Sequence, residues 1–358
     1  MSTTMPTEEK IRKLVDPLLT QDGVGVVVGA ALQSSSKLWT FGSVTAVDGS
    51  SLDLDGDTFF AIGSVSKTFT ATLYAWAGAN ADTTVGACTP PDAEPVGSNY
   101  SGITLQSLAT YSSGLPTDNG RGGPPRLPPG QTKPYTRTEM YDYLATNPFP
   151  IDAGQGYAYS NLGFALLGAS LPAAVGSTDY YAEVLQANIL NPLGFVPTRL
   201  DVVPSSLLPQ SYVDGTAQGV NWRQYPAYNP AGGLVMSGSS FMKWMQYNMG
   251  LASNTSLNSL LAQTLAPSGV TVSSAIDVCL GWFYKPSANI VYKDGGTLGF
   301  NSLVYITASE NPGTDPSPSG TFIFVNQRTT LLPGILQKII DILNGTTTSE
   351  PAATHTPG

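Results

Sequence analysis

The chain has 358 residues and a net charge of −9, with 16 Lys and Arg against 25 Asp and Glu and no cluster of basic residues, which argues against nucleic acid and anionic membranes as partners. Charged residues are only 11% of the chain, against about a quarter in ordinary soluble proteins, so Ser, Thr, Asn and Gln must supply most of the polar surface. The single histidine, His355, lies in a polar tail, 346–358, expected to be flexible; this removes a Ser-His-Asp triad and His-based metal sites from consideration.

In chain order, Ile11, Leu14, Val15, Leu18 and Leu19 fall on one helical face, which predicts an amphipathic helix over 7–19. Strands are expected at 24–32 and 37–43, joined by a turn at 34–36, and a third at 58–62 leads to Gly63. A helix then opens at Ser64 and runs through Trp76, delivering Phe69, Leu73 and Trp76 to a core. A loop-rich stretch over 80–102 and a short helix over 105–111 follow. The Gly/Pro-dense segment 120–134 is long enough to border an active site. Helices are expected at 137–146, 161–171, 179–190, 239–250 and 257–266. Strand patterns return at 281–284, 289–293, 300–307 and 321–326, with a Pro-rich hairpin loop at 310–320. A last helix, 332–343, carries Ile335, Leu336, Ile339, Ile340 and Leu343 at helical spacing.

Strands at both ends with helices between imply one sheet built from both termini. The reading is an α/β unit from 1–63 and 270–345, a mainly helical unit over 64–269, and the tail. Cys88 and Cys279 lie far apart in segments of different type and are expected to be free buried thiols, with a disulfide as the alternative. No apolar signal core opens the chain and no run reaches transmembrane length. Asn99, Asn254 and Asn344 each start a glycosylation sequon, a pattern too frequent in a chain of this composition to decide anything.

Ser64 and Lys67 form a Ser-x-x-Lys pair at a helix start. The positive field there favours developing negative charge, and a residue three further on shares the face, so the amine can reach the hydroxyl. Serine needs such a base before it can attack, and a desolvated lysine can be one. The same spacing recurs at Ser34 and Lys37, in a polar turn, and at Ser240 and Lys243, where the lysine reads as a snorkelling surface residue. Tyr159-Ser160-Asn161 stands just before a helix. Asn161 there is either that helix's N-cap or a functional amide, and Tyr159 either a core aromatic or a functional phenol. Lys293-Asp294-Gly295-Gly296-Thr297 ends a strand, either as a hairpin turn on Asp-Gly or as a functional edge. Together they supply a nucleophile, two lysines, a phenol and an amide in a chain whose serine chemistry must use lysine or tyrosine as base.

With these motifs in this order, the sequence resembles the serine β-lactamase and D-alanyl-D-alanine peptidase superfamily. It is most similar to the class C β-lactamases, the penicillin-binding peptidases related to them, and the β-lactamase-like esterases. The likeness runs from Val24 to about Leu343. It includes Asp57-Thr58-Phe59-Phe60, the stretches 108–116 and 159–168, Pro192-Leu193-Gly194, Ala231-Gly232-Gly233-Leu234 and Gly299-Phe300. The resemblance implies an α/β sandwich with a central antiparallel sheet built from both chain ends, a helical domain beside it, and the site in the cleft between.

It further implies that Ser64 attacks a carbonyl to form an acyl-enzyme, with Lys67 and Tyr159 as the proton-transfer pair. Desolvation and the charge of Lys293 would lower the pKa of Lys67, and two nearby ammonium groups would lower that of Tyr159; which group takes the proton is left open. Asn161 would orient Lys67 and the substrate amide, Lys293 and Gly295 would line the substrate strand, and the N–H groups of Ser64 and Gly296 would form the oxyanion hole. Two departures bear on substrate: Asp294 stands where the β-lactamases and peptidases have Thr or Ser, and Asp118 where they have Gln. The expected function is a cofactor-free serine hydrolase acting on an amide of the β-lactam or D-amino-acid peptide class. A carboxylesterase or acyl transferase is the alternative, and a non-turnover penicillin-binding or sensor protein another. The expected partner is a small-molecule amide, ester or peptide, with no nucleic acid and no membrane, and the resemblance favours a periplasmic or secreted location.

Overall fold

A computed structural model describes residues 4–90, 100–118, 135–147, 156–194, 198–199, 202–219, 225–252, 256–297, 299–307 and 318–346. The expected loop at 120–134, most of that at 310–320, the tail beyond 346 with His355, and the sequons at Asn99 and Asn254 lie outside the described residues. The strands that matter for the site are β1 (Gly25–Leu32), β2 (Ser35–Gly42), β3 (Phe59–Ala61), β4 (Thr198–Arg199), β5 (Leu234–Ser237), β6 (Thr271–Ser273), β7 (Ile276–Val278), β8 (Phe283–Lys285), β9 (Ile290–Thr297), β10 (Phe300–Thr307) and β11 (Ser319–Val325). The longer helices among the described residues are α1 (Glu8–Val15), α2 (Ser66–Ala77), α3 (Arg137–Thr146), α4 (Asn161–Ala174), α5 (Gly238–Asn248) and α6 (Leu332–Leu343).

Eight strands form one antiparallel sheet in the order β6-β7-β8-β9-β10-β11-β1-β2. Strands from both chain ends therefore pair within it, one strand in from the β2 edge, where Val26 pairs with Val325 and Ala31 with Gly320. Alternation along β1 and β11 sends side chains to both faces, and both faces are covered, so these strands read as nearly unbroken apolar runs. On one face α1 and α6 close a core of Ile11, Val15, Val26, Ile323, Leu336 and Ile340. On the other α5 lays Phe241 edge-on against Phe322 and Phe324, each at 4.9 Å between ring centroids. This is the α/β arrangement implied by the resemblance.

The segments 137–146, 300–307 and 332–343 form elements with the expected bounds. The first owes this to a capping box in which Thr136 and Glu139 bond each other's backbone N–H. Elsewhere the expectations need correcting. Residues 257–266 give only a 3₁₀ turn, Asn258–Leu260, and one helical turn, Leu261–Thr264. The region 179–190 splits into Tyr181–Leu185 and a π-helical Gln186–Leu190. The mainly helical middle also carries β4 and β5, which join β3 in a three-stranded sheet of order β3-β5-β4. The Asp-Gly pair at 294–295 is not a turn: β9 runs through it to Thr297, which pairs with Phe300. Cys88 and Cys279 are both free and buried.

Candidate active site

Ser64 does not start a helix directly; it lies in a one-turn 3₁₀ segment, Gly63–Val65, whose end passes into α2 at Ser66. The turn is pressed against β9. Gly63 has φ +50, and a Cβ there would lie 2.7 Å from the backbone N of Gly296. At Gly295 a Cβ would come within 2.1 Å of the Ile62 carbonyl oxygen and 3.0 Å of the Ser64 backbone N. Only glycine permits this approach at either place. Ser302 on β10 closes the clamp, its hydroxyl donating to the Ile62 carbonyl at 2.8 Å.

The first turn of α2 carries Lys67, whose side chain is fully buried. Its Nζ donates to Ser64 Oγ at 3.0 Å, to Asn161 Oδ1 at 2.6 Å and to the Ala231 carbonyl at 2.5 Å. The phenol of Tyr159 donates to the same Ser64 Oγ at 2.5 Å. Its ring stacks on Tyr111 at 5.2 Å between centroids, and Tyr111 stacks in turn on Phe283 at 5.5 Å. Tyr111 holds this place from a left-handed backbone, φ 54, uncommon for a residue with a Cβ. Two hydrogen bonds fix it there, from Ala158 N to its carbonyl at 2.7 Å and from its own hydroxyl to the Gly281 carbonyl at 3.1 Å.

Asn161 is not the cap of α4. Ser160 takes that role, its Oγ accepting from Gly163 N at 2.7 Å and donating to the Pro116 carbonyl at 2.6 Å. The Asn161 side chain is thereby left for the site. Its Nδ2 donates to Asp118 Oδ1 at 3.2 Å. Because an ionised carboxylate only accepts, this contact sets the amide so that its oxygen faces Lys67.

Lys293 is also buried, its side chain 1% exposed, whereas that of the next residue, Asp294, is 58% exposed. The Lys293 ammonium pairs with Asp294 Oδ1 at 3.3 Å and donates to the Asp294 carbonyl at 3.1 Å. Its Nζ lies 5.4 Å from the centroid of the Tyr159 ring, and that of Lys67 4.9 Å. The site thus gathers Ser64, Lys67, Tyr159, Asn161, Asp118, Lys293, Asp294, Gly295 and Gly296. The other two Ser-x-x-Lys matches stay apart: Lys243 is exposed and donates to the Gly194 carbonyl, and Lys37 lies over the Trp39 ring.

Burial pushes the Lys67 pKa well below that of an ordinary lysine, and Lys293 adds to the fall, while Asp118 and Asp294 oppose it. The expectation for Tyr159 was wrong in sign. Its pKa is raised, first by burial and then by the charge of Asp294, although the hydrogen bond to Ser64 pulls the other way. Tyr159 is half-buried where Lys67 is fully buried, yet the loss of water around its hydroxyl still dominates. Burial also raises Asp118, against its bond to Asn161 and the charge of Lys67. Lys293 holds Asp294 below the usual carboxylate range.

Sequence reasoning missed two participants. The Ala231 carbonyl, which accepts from Lys67, is a backbone group with no residue-type signature, although Ala231 stands in one of the stretches that carry the resemblance. Tyr111 looks like any buried aromatic until its backbone angle is known. Among the described residues no group of three or more His, Cys, Asp or Glu could hold a metal ion. No helix among them is long and apolar enough to cross a membrane.

The family model described as Beta-lactamase matches residues 11–338. A D-alanyl-D-alanine-carboxypeptidase/endopeptidase AmpH of Escherichia coli K12 is 29% identical over 238 residues, which is 63% of this chain and 60% of the relative. A β-lactamase of Lysobacter lactamgenus is 26% identical over 249 residues, 68% of this chain and 60% of the relative. The chain therefore spans 60% of the length of these relatives. Among solved structures, a β-lactamase/D-alanine carboxypeptidase from Pseudomonas syringae superposes with a TM-score of 0.72 at 19% identity, covering 96% of this chain and 98% of that one. A class C β-lactamase from Rhodobacter sphaeroides gives 0.69 at 19% identity, covering 94% and 99%. At such identity the superpositions speak for the fold alone. The family match, by contrast, takes in nearly the whole chain and the residues of all three motifs, and on that ground the chain belongs to the β-lactamase family.

Proposed function

We propose that this protein is a serine hydrolase that works through an acyl-enzyme in the cleft between an α/β unit, 1–63 with 270–345, and a mainly helical unit, 64–269. One observation carries the reading: Ser64 Oγ lies 2.5 Å from the Tyr159 hydroxyl and 3.0 Å from the Lys67 amine. One hydrogen-bond arrangement satisfies all the groups at once. Neutral Lys67 keeps its two shorter contacts, to Asn161 and Ala231, as N–H donors, and turns its lone pair to Ser64. The serine then donates to Lys67 and accepts from Tyr159. The opposite pKa directions support the same division, with Lys67 as base and Tyr159 as proton donor.

As Ser64 Oγ bonds to the substrate carbonyl carbon, its proton passes to Lys67 and the carbonyl electron pair moves onto oxygen. The N–H groups of Ser64 and Gly296 stabilise that oxyanion, and losing one such donor typically costs about 3–4 kcal/mol of barrier. Collapse breaks the bond to the leaving group, which takes the Tyr159 proton, and Lys67 returns a proton to the phenolate. Water then repeats the sequence on the acyl-enzyme. Amides of the β-lactam or D-amino-acid peptide class are the first substrates to try, because the relatives are named for them. We also propose a periplasmic or secreted location on the strength of the same likeness.

A second reading, a carboxylesterase or acyl transferase on the same residues, is favoured by the Lys293–Asp294 pair, which occupies the lysine that would meet a substrate carboxylate. Intact-mass measurement with a panel of penicillins, cephalosporins and p-nitrophenyl esters, on wild type and Ser64→Ala, tests both. A Ser64-dependent adduct or turnover with β-lactams supports the first, and rapid ester cleavage beside inert β-lactams supports the second. No adduct and no turnover with either set removes the acyl-enzyme itself.

A further inference from the structure

Asp294 is the one charged side chain on the glycine-rich end of β9, and it faces outward from the strand that clamps the nucleophile turn. Its neighbours in the strand fix where it stands. Gly295 pairs with Ser302 and lies against Ser64 N, and Asp294 pairs with Leu303 one step before it. Alternation sends the Asp294 side chain off the strand on the face opposite to that of Gly295, but its Oδ1 returns to 3.3 Å from Lys293 Nζ, itself 5.4 Å from the centroid of the Tyr159 ring, so the carboxylate stands at the rim of the site. Lys293 keeps it ionised.

The charges around the nucleophile can be balanced. The groups whose fields reach the Lys67 amine are Lys293, Asp118 and Asp294. Among the described residues, then, two ammonium groups face two carboxylates. Asp118 lies beside Lys67 through Asn161, and Asp294 touches Lys293 directly. When Lys67 is neutral, as a base must be, the balance falls to one negative charge. A carboxylate on the incoming substrate would find the Lys293 ammonium already paired, and would have to sit beside Asp294 to reach it. A cation would meet an exposed carboxylate instead. The net charge of −9 on the chain adds a far field of the same sign.

Resting on the acyl-enzyme reading, we propose that Asp294 makes this cleft select acyl donors that carry no carboxylate beside the scissile carbonyl, and favour those with a cationic group there. The strand that presents Gly296 to the oxyanion thus also sorts substrates by charge. Simple penicillins, whose carboxylate sits close to the reacting carbonyl, are poor acylating agents, and quaternary-ammonium esters are good ones.

The test is a set of phenyl acetates that differ in the para group of the leaving phenol: trimethylammonio, tert-butyl and carboxylate. Wild type is expected to prefer the cationic over the anionic ester, and Asp294→Asn to lower that kcat/KM ratio by about tenfold, the scale of one close, partly exposed charge contact. Comparing ratios between proteins cancels the intrinsic reactivity of each ester. Raising salt to about 0.5 M should compress the wild-type ratio and leave that of the variant nearly alone. Asp294→Thr, a second variant, is expected to raise the rate of Ser64 acylation by benzylpenicillin about tenfold. Wild type with no preference for the cation, or ratios that agree within about twofold between wild type and Asp294→Asn, overturn the charge selection while the enzyme remains a Ser64 hydrolase. Failure of all three esters, with no Ser64 adduct in wild type, instead overturns the acyl-enzyme reading beneath it.

Discussion

Helices α2 and α6 are each 12 residues long and both lie against the central architecture, yet they are built on opposite plans. Helix α6 has one apolar stripe, Leu332, Ile335, Leu336, Ile339, Ile340 and Leu343, and leaves Lys338 in solvent. Helix α2 is buried nearly all round, and five of the side chains it buries are polar: Ser66, Lys67, Thr68, Thr70 and Thr72. Most of those reach another element. Ser66 Oγ accepts from Leu234 N at 3.1 Å, and Thr68 Oγ1 accepts from Trp244 Nε1 at 3.2 Å. Thr70 meets both the Tyr181 hydroxyl and the Pro230 carbonyl at 2.7 Å. Apolar contact resists separation but tolerates a few degrees of rotation, whereas directional bonds on several sides do not. The polar helix gives up transfer free energy and gains a fixed azimuth, which brings Lys67 within reach of Ser64.

Breaking that contrast should have effects of graded size. Ser64→Ala, at the tip of the polar helix, is expected to lower kcat/KM by about four orders of magnitude, with an unchanged circular dichroism spectrum and melting temperature. Lys67→Met should cost about 10²–10⁴-fold in kcat/KM, read with the best substrate from the ester and β-lactam panel. Thr70→Val, which removes two buried hydrogen bonds without touching the reacting groups, should cost about 1–3 kcal/mol in urea unfolding and lower kcat as well. Its counterpart on the apolar helix, Ile339→Val, should cost about 0.5–1.5 kcal/mol and leave kcat/KM where it was. Equal effects of the last two on kcat would erase the distinction between the helices.

The smallest effect is a shift in pH profile. With Lys67 as base, activity requires the neutral amine, so kcat/KM falls as pH drops through a pKa well below that of ordinary lysine. Asp118 raises that pKa. Removing its charge in Asp118→Asn should therefore move the acid limb to lower pH, as measured in kcat/KM profiles. A limb that stays put or moves upward would count against Lys67 as the titrating base. The half-buried Tyr159, its pKa raised, should add no limb of its own at neutral pH.

The contrast also explains what could be read without coordinates. Helix α6 was legible to its last residue because an apolar period is written in side chains alone. The approach of Lys67 to Ser64 was legible because a spacing of three residues through consecutive helical turns fixes a distance. The choice between Ser160 and Asn161 as cap was not, since both residue types cap well and only the bond to Gly163 decides. Nor was the fate of Asp294-Gly295, whose turn propensity is overridden by pairing along the whole of β9. Strands β6 and β7 have only three residues each, too few for alternation to register. The sign of the Tyr159 shift depended on how the burial of the hydroxyl compares with the charges around it. Neither quantity has a linear signature.

Finally, the clamp between the nucleophile turn and β9 ties the hydroxyl of Ser302 to Ile62 across 240 residues of sequence. Contacts of that span close late, after the intervening chain has been ordered. A polypeptide interrupted between Tyr159 and Ile290 would own the serine, the lysine and the phenol and still lack the strand edge opposite them. Competence is therefore the final product of assembly, and its appearance during refolding would time the arrival of the carboxyl-terminal strands.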